Sequence, residues 1–177
     1  MNTYIALFRG INVGGKNLLP MKDLVAIFKS MNYANIQTYI QSGNVIFQNK
    51  DVVSKGCGVE IGKRVFETMG FAPKVLIITA AELQQAFANN PFTPSDGKAL
   101  HFFFLDSPPL QPDIAKLAAI KTPTEEFKLT DDVFYLYAPG GIGRSKLAAE
   151  VEKALGIPVT ARNWNTVGKL LLMVEKL

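Results

Sequence analysis

The stretch IQTYIQSGNVIF, from Ile36 to Phe47, holds two β-type runs, Ile36–Ile40 and Val45–Phe47, around Gln41-Ser42-Gly43-Asn44. Glycine beside asparagine and serine supplies the positive-φ position that a tight hairpin needs. What flanks this hairpin decides the fold. Upstream, Tyr4–Phe8 is a continuous apolar run of strand length, and Pro20 suits a helix start ahead of Met21, Leu24, Val25 and Phe28 at helical spacing. Downstream, a second helix carries Val59, Val65, Phe66 and Met69, Gly70 suits its end, and Lys74–Ile78 is a closing strand. The order is βαββαβ.

The rest of the chain repeats the first five elements of this order, β-α-β-β-α. Thr79-Ala80-Ala81-Glu82 has the capping-box pattern of a connecting helix, and Asn90–Gly97, with Pro91 and Pro94, reads as a linker. His101–Leu105 opens a second half, followed by a helix carrying Leu110, Ile114 and Leu117 after its prolines. Glu126–Leu129 pairs with Val133–Tyr137 across Thr130-Asp131-Asp132. A helix then runs from Ser145 through Leu147, Val151 and Leu155 to Gly156 and Pro158. After a short extended piece, Asn163–Leu177 forms a last helix with Val167, Leu170, Leu171 and Val174 inward. The expectation is an α+β protein of two tandem ferredoxin-like halves with mainly antiparallel sheets and an additional C-terminal helix. Residues 1–79 are the first half, 80–97 the connecting helix and linker, and 98–177 the second half with that last helix. Element order repeats; residues do not.

With 48% hydrophobic and 19% charged residues, the 177-residue chain has a globular balance and enough length for a sizeable core. Its unbroken apolar runs are strand-sized, so no segment is expected to span a membrane. Met1-Asn2-Thr3-Tyr4 lacks a basic stretch and Arg9 interrupts the apolar run, so no signal peptide is expected. Cys57 is the single cysteine, which excludes an intrachain disulfide and fits a cytoplasmic setting. Charge is uneven. Through Thr79, nine Lys and Arg face four Asp and Glu, a net of +5, and the remainder is −1. A basic half suits an anionic partner, although solubilising lysines account for the same excess.

Three polar segments could carry chemistry. Gly10–Lys16 matches the G-x-x-x-x-G-K part of a phosphate-binding loop, but Asn17 stands where Ser or Thr should ligate magnesium. Leu18 and Leu19 also separate it from the helix at Pro20, whereas such a loop wraps directly into a helix. What survives is a donor-rich nest: three glycines, Gly14 among them, expose backbone N–H groups, and Arg9, Asn12 and Lys16 add side-chain donors. A plain glycine-rich connection explains the same residues. In the hairpin, Gly43 and Asn44 serve turn geometry, while Gln41 and Ser42 are less obligatory and so are ligand candidates together with Asn44. Ser42 has no evident base, and the single histidine, His101, begins a strand of the other half, so a Ser-His-Asp triad is not expected.

The third segment is Arg162-Asn163-Trp164-Asn165-Thr166. Asn163 can cap the last helix, Arg162 offers a planar fork for phosphate or carboxylate, and Trp164 a face for a base or sugar. Equally, Trp164 fills an interface between the halves and Arg162 braces a carbonyl or carboxylate. Gly140–Lys146 is a further glycine-rich approach to a helix, where Ser145 suffices as cap. One Cys and one His make no zinc site, no G-x-G-x-x-G follows a strand, and no cofactor is expected. The aromatic consensus of RNA-recognition sheets is missing; Tyr4, Phe8 and Phe47 could share a face, but one packed inside.

Together, ALFRGINVGGKNLLPMKDL (Ala6–Leu24), TYIQSGNVIF (Thr38–Phe47) and VTARNWNTVGKLL (Val159–Leu171) strongly resemble the bacterial family called domain of unknown function 1697. The resemblance implies paired ferredoxin-like halves and no established activity. It also marks Arg9–Lys16, Gln41–Asn44 and Arg162–Thr166 as the signature; Asn32, where a glycine would stand, is a turn detail.

Three functions follow. The first is a protein holding a small phosphorylated or carboxylated ligand between its halves, with Arg9, Lys16 and Arg162 on the anion and Asn12, Gln41, Asn44 and Asn163 orienting the rest. The second is a nucleic-acid-binding module that uses the basic first half and Trp164. The third is an interaction or scaffold protein without a ligand, expected if the segments are buried and mutually satisfied. Amide side chains outnumber lysines in the segments, which favours the first; no membrane partner is expected. None of the three segments contains Asp, Glu, His or Cys, so catalysis would need Lys16, Tyr39, Ser42 or an acid from elsewhere. Binding is better supported than turnover.

Overall fold

The computed structural model describes residues 1–177. The chain divides into two compact units, Met1–Gln84 with Leu170–Leu177, and Gln85–Lys169.

In the first unit, strands β1 (Asn2–Arg9), β2 (Ala34–Tyr39), β3 (Asn44–Asn49) and β4 (Lys74–Thr79) form an antiparallel sheet in the order β2-β3-β1-β4. Helices α1 (Met21–Ser30) and α2 (Cys57–Met69) supply the crossovers. Alternate residues of a strand point to opposite faces. Tyr4, Ala6 and Phe8 thus join Phe28, Phe47, Ile61 and Val65 in one apolar core, where Tyr4 stacks on Phe47 at 5.6 Å. Ile5, Leu7, Ile46 and Ile78 are buried on the opposite face. Burial of both faces is why β1 reads as an unbroken apolar run. The three aromatic residues Tyr4, Phe8 and Phe47 do share a face, packed inside as expected.

Apolar spacing is a poor guide to α2. Its buried face is Gly58, Ile61, Gly62 and Val65, while Val59 and Phe66 are exposed. The helix lies so close to β4 that a Cβ at position 58 would stand 2.0 Å from the Val75 carbonyl oxygen. Only glycine fits that contact, and Val59 and Phe66 turn outward while Ile61 and Val65 stay in the core. Gly70 ends the helix in the left-handed region at φ 80°, its N–H donating to the Phe66 carbonyl.

Helix α3 (Ala80–Ala88) begins with the expected capping box: Thr79 Oγ1 accepts from the Glu82 N–H at 3.1 Å, and Glu82 Oε2 accepts from the Thr79 N–H at 2.7 Å. The second sheet comprises β5 (Leu100–Leu105), β6 (Glu126–Leu129), β7 (Val133–Tyr137) and β8 (Val159–Asn163), in the order β6-β7-β5-β8. That order matches the first sheet position for position. Helices α4 (Ile114–Ile120) and α5 (Lys146–Leu155) cover one face, and α6 (Trp164–Val174) follows β8.

Two expectations need correction. Leu110 is not helical; it is 96% exposed, because Pro112 and the Asp113 cap, accepting from the Lys116 N–H at 3.0 Å, delay α4 to Ile114. The short extended piece is a full edge strand, β8, paired along β5. The architecture is α+β, with two four-stranded antiparallel sheets and a C-terminal helix. No helix is long and apolar enough to cross a membrane.

Candidate functional site

Between β1 and α1 the chain makes a small hairpin of its own. The Asn12 N–H donates to Asn17 O at 3.1 Å and the Lys16 N–H to Val13 O at 3.0 Å, with Gly14 (φ 58°) and Gly15 (φ 72°) at the turn. Positive φ at both central residues is the turn that suits a two-residue hairpin. Gly14-Gly15-Lys16 therefore folds back on itself and does not open a helix. Asn12 Nδ2 donates to Leu19 O at 3.0 Å and to Gln41 O at 2.8 Å, and its Oδ1 accepts from the Leu19 N–H at 2.8 Å. Its side chain shapes the loop and ties it to the β2–β3 turn.

That turn sits against β1. The Phe8 N–H donates to Gly43 O at 2.8 Å, and a Cβ at Gly43 (φ 77°) would stand 2.5 Å from Phe8 Cβ. Asn44 is fully buried, and its Nδ2 donates to Tyr39 O and Ser42 Oγ, each at 3.0 Å. Gln41 and Ser42 are exposed beside it. Two of the three polar segments thus meet at one end of the first sheet, with asparagines as the frame.

The same end gathers positive charge. Arg9, the last residue of β1, is in register with Lys74, the first of β4, and both are exposed. Strand parity puts them on the face of Leu7 and Asn44, since Leu7 pairs with Asn44 and Leu76. Lys16 is exposed on the adjoining loop, and residues 9–19, 40–44 and 71–74 contain no Asp or Glu. Sequence reasoning missed Lys74, because its position opposite Arg9 follows only from sheet order.

The third segment belongs to the second unit. Asn163 Oδ1 accepts from the Thr166 N–H at 2.9 Å and so caps α6. Trp164 packs on Phe87 with ring centroids 5.7 Å apart. Arg162 pairs with Phe102 across β8 and β5, and its Nη1 donates to Ala161 O at 2.8 Å. Burial pushes its guanidinium down to about 10, which leaves it charged at neutral pH. His101 faces Asn163 in the same ladder; no protein group partners its buried Nδ1, and burial lowers its pKa.

A family profile described as "Protein of unknown function (DUF1697)" matches residues 1–135. The chain belongs to that family. Both the loop and the hairpin segments lie within the match, whereas Arg162–Thr166 lies beyond the matched residues of this DUF1697 chain. No curated protein matches it. Among solved structures it is similar to a conserved bacterial protein, SP0830 from Streptococcus pneumoniae, at 24% identity and TM-score 0.65, over 97% of this chain and 98% of that one. At that identity the likeness speaks for the fold alone.

Proposed function

We propose that this chain binds a small anionic ligand, phosphorylated or carboxylated, at the end of the first sheet where Arg9 and Lys74 stand in register. That register carries the reading. Two cationic side chains at paired positions of neighbouring strands offer charge-assisted donors to one phosphate or carboxylate. Exposed Lys16, Gln41 and Ser42 supply further donors, while Asn12 and Asn44 hold the frame. With no acid or imidazole in these segments, the site grips charge and is not built for proton transfer.

Each half is proposed to be ferredoxin-like, supported by the βαββαβ order and by the matching strand orders of the two sheets. A cytoplasmic setting is part of the same proposal and rests on the single cysteine.

The test is a thermal-shift screen of inorganic phosphate, sugar phosphates, nucleotides and dicarboxylates. A ligand at a hundredfold its Kd stabilises by about 2.7 kcal/mol. Such a ligand should lose its effect in Arg9→Ala and in Lys74→Ala. Stabilisation that survives both substitutions, or none from any compound, would remove the proposal.

A further inference from the structure

We infer that the apex of the first unit, the Val13–Leu18 turn together with Ile40, is a docking surface for an acidic protein segment. Val13 is 66% exposed, Leu18 61% and Ile40 50%, and the Asn12–Gln41 hydrogen bond holds their two loops together. Ile40 has φ 49°. The left-handed region is unfavourable for a β-branched residue, so the turn presents an isoleucine to solvent where asparagine or glycine would be relaxed.

Charge selects the occupant. Lys16 lies between Val13 and Leu18, and neither loop carries a carboxylate; the next acid along the chain, Asp23, follows Lys22 directly. A Cβ at Gly14 or Gly15 would meet nothing within 4 Å, so the turn stands clear of the body. Between the apolar residues Val13 and Leu18 come Gly14, Gly15, Lys16 and Asn17, all exposed. Apolar contacts interleaved with hydrogen-bonding groups are how protein interfaces are built, whereas insertion into lipid needs a contiguous apolar face. The fitting partner is a segment that alternates apolar side chains with glutamate or aspartate. This surface shares Lys16 with the proposed anion site but relies on Val13, Leu18 and Ile40, which that site does not use.

Fluorescence anisotropy with a labelled Glu-Leu-Glu-Glu-Leu repeat peptide and its lysine counterpart tests it on the full chain. The acidic peptide should bind at least about tenfold more tightly than the lysine one, and the double variant Val13→Asp/Leu18→Asp should weaken it by about tenfold or more, with an unchanged circular dichroism spectrum. Ile40→Gly should weaken binding while the unfolding temperature holds or rises, a combination that simple misfolding does not produce. Equal affinity for both peptides, or undiminished binding by the double variant, would overturn the inference. Sedimentation with phosphatidylglycerol vesicles in place of acidic-peptide binding would also overturn it, in favour of a lipid surface. Arg9→Ala and Lys74→Ala leave Val13, Leu18 and Ile40 intact, so peptide binding that persists in those variants while phosphate stabilisation is lost separates the two readings.

Discussion

Asn12 and Gln41, 29 residues apart in sequence, are joined by a 2.8 Å hydrogen bond from the Asn12 side-chain amide to the Gln41 carbonyl oxygen. The same side chain makes two further bonds to Leu19. Asn12→Ala should therefore destabilise the chain by about 2 kcal/mol, read as the midpoint of urea unfolding. Asn12→Gly should cost less than Asn12→Ala, because φ at this position is 54° and glycine tolerates it. Equal losses would mean that the backbone conformation contributes nothing.

Gly43→Ala should be more damaging than either. It combines φ 77° with a Cβ placed 2.5 Å from Phe8 Cβ, so strain and overpacking add to about 3 kcal/mol. Thermal unfolding with amide exchange along β1 would place the damage next to Phe8.

The Thr79–Glu82 box makes a pH-dependent contribution. Burial raises the Glu82 carboxyl, but hydrogen bonds from Thr79 and the charge of Lys55 outweigh it, and the net pKa is lowered. A folded-state value below the unfolded one adds stability that is present above the unfolded pKa and lost as pH falls through the folded one. The stability gap between wild type and Glu82→Gln should thus close in acid. Thr79→Ala should cost about 1 kcal/mol at neutral pH.

His101 acts in a neighbouring pH window. Its pKa is lowered by burial, so the unfolded chain binds the proton first. Stability is full above the ordinary histidine value and declines as pH falls below it toward the folded value. Since His101 is the single histidine, His101→Phe should remove the slope of unfolding temperature against pH just below 6.5. A slope retained in the variant would assign it to carboxylates.

Asn163 tests the third segment as a cap. Asn163→Ala should lose about 1 kcal/mol and Asn163→Asp should hold or gain slightly from the helix dipole, both read by chemical denaturation.

Features decided within a few residues are legible in the sequence alone. The β2–β3 hairpin around Gly43, the Thr79–Glu82 box, the Asn163 cap and the glycine stops at Gly70 and Gly156 depend on local geometry, and each stands where the residues put it. The repeated βαββα order was legible for the same reason, since apolar period separates strand from helix. Which side chains meet across the chain was not. Arg9 lies opposite Lys74 because β4 pairs with the far side of β1, and Asn12 reaches Gln41 because the β2–β3 turn folds beside the same strand. Gly58 against Val75 left Val59 and Phe66 of α2 outward while Val65 stayed in the core, and β8 became a strand only by pairing with β5. Such contacts depend on strand order and interelement distance, which a one-dimensional pattern of residue types does not encode. Sequence alone identified the three donor-rich, acid-poor segments; tertiary structure joined two of them through Asn12 and brought Lys74 to their edge.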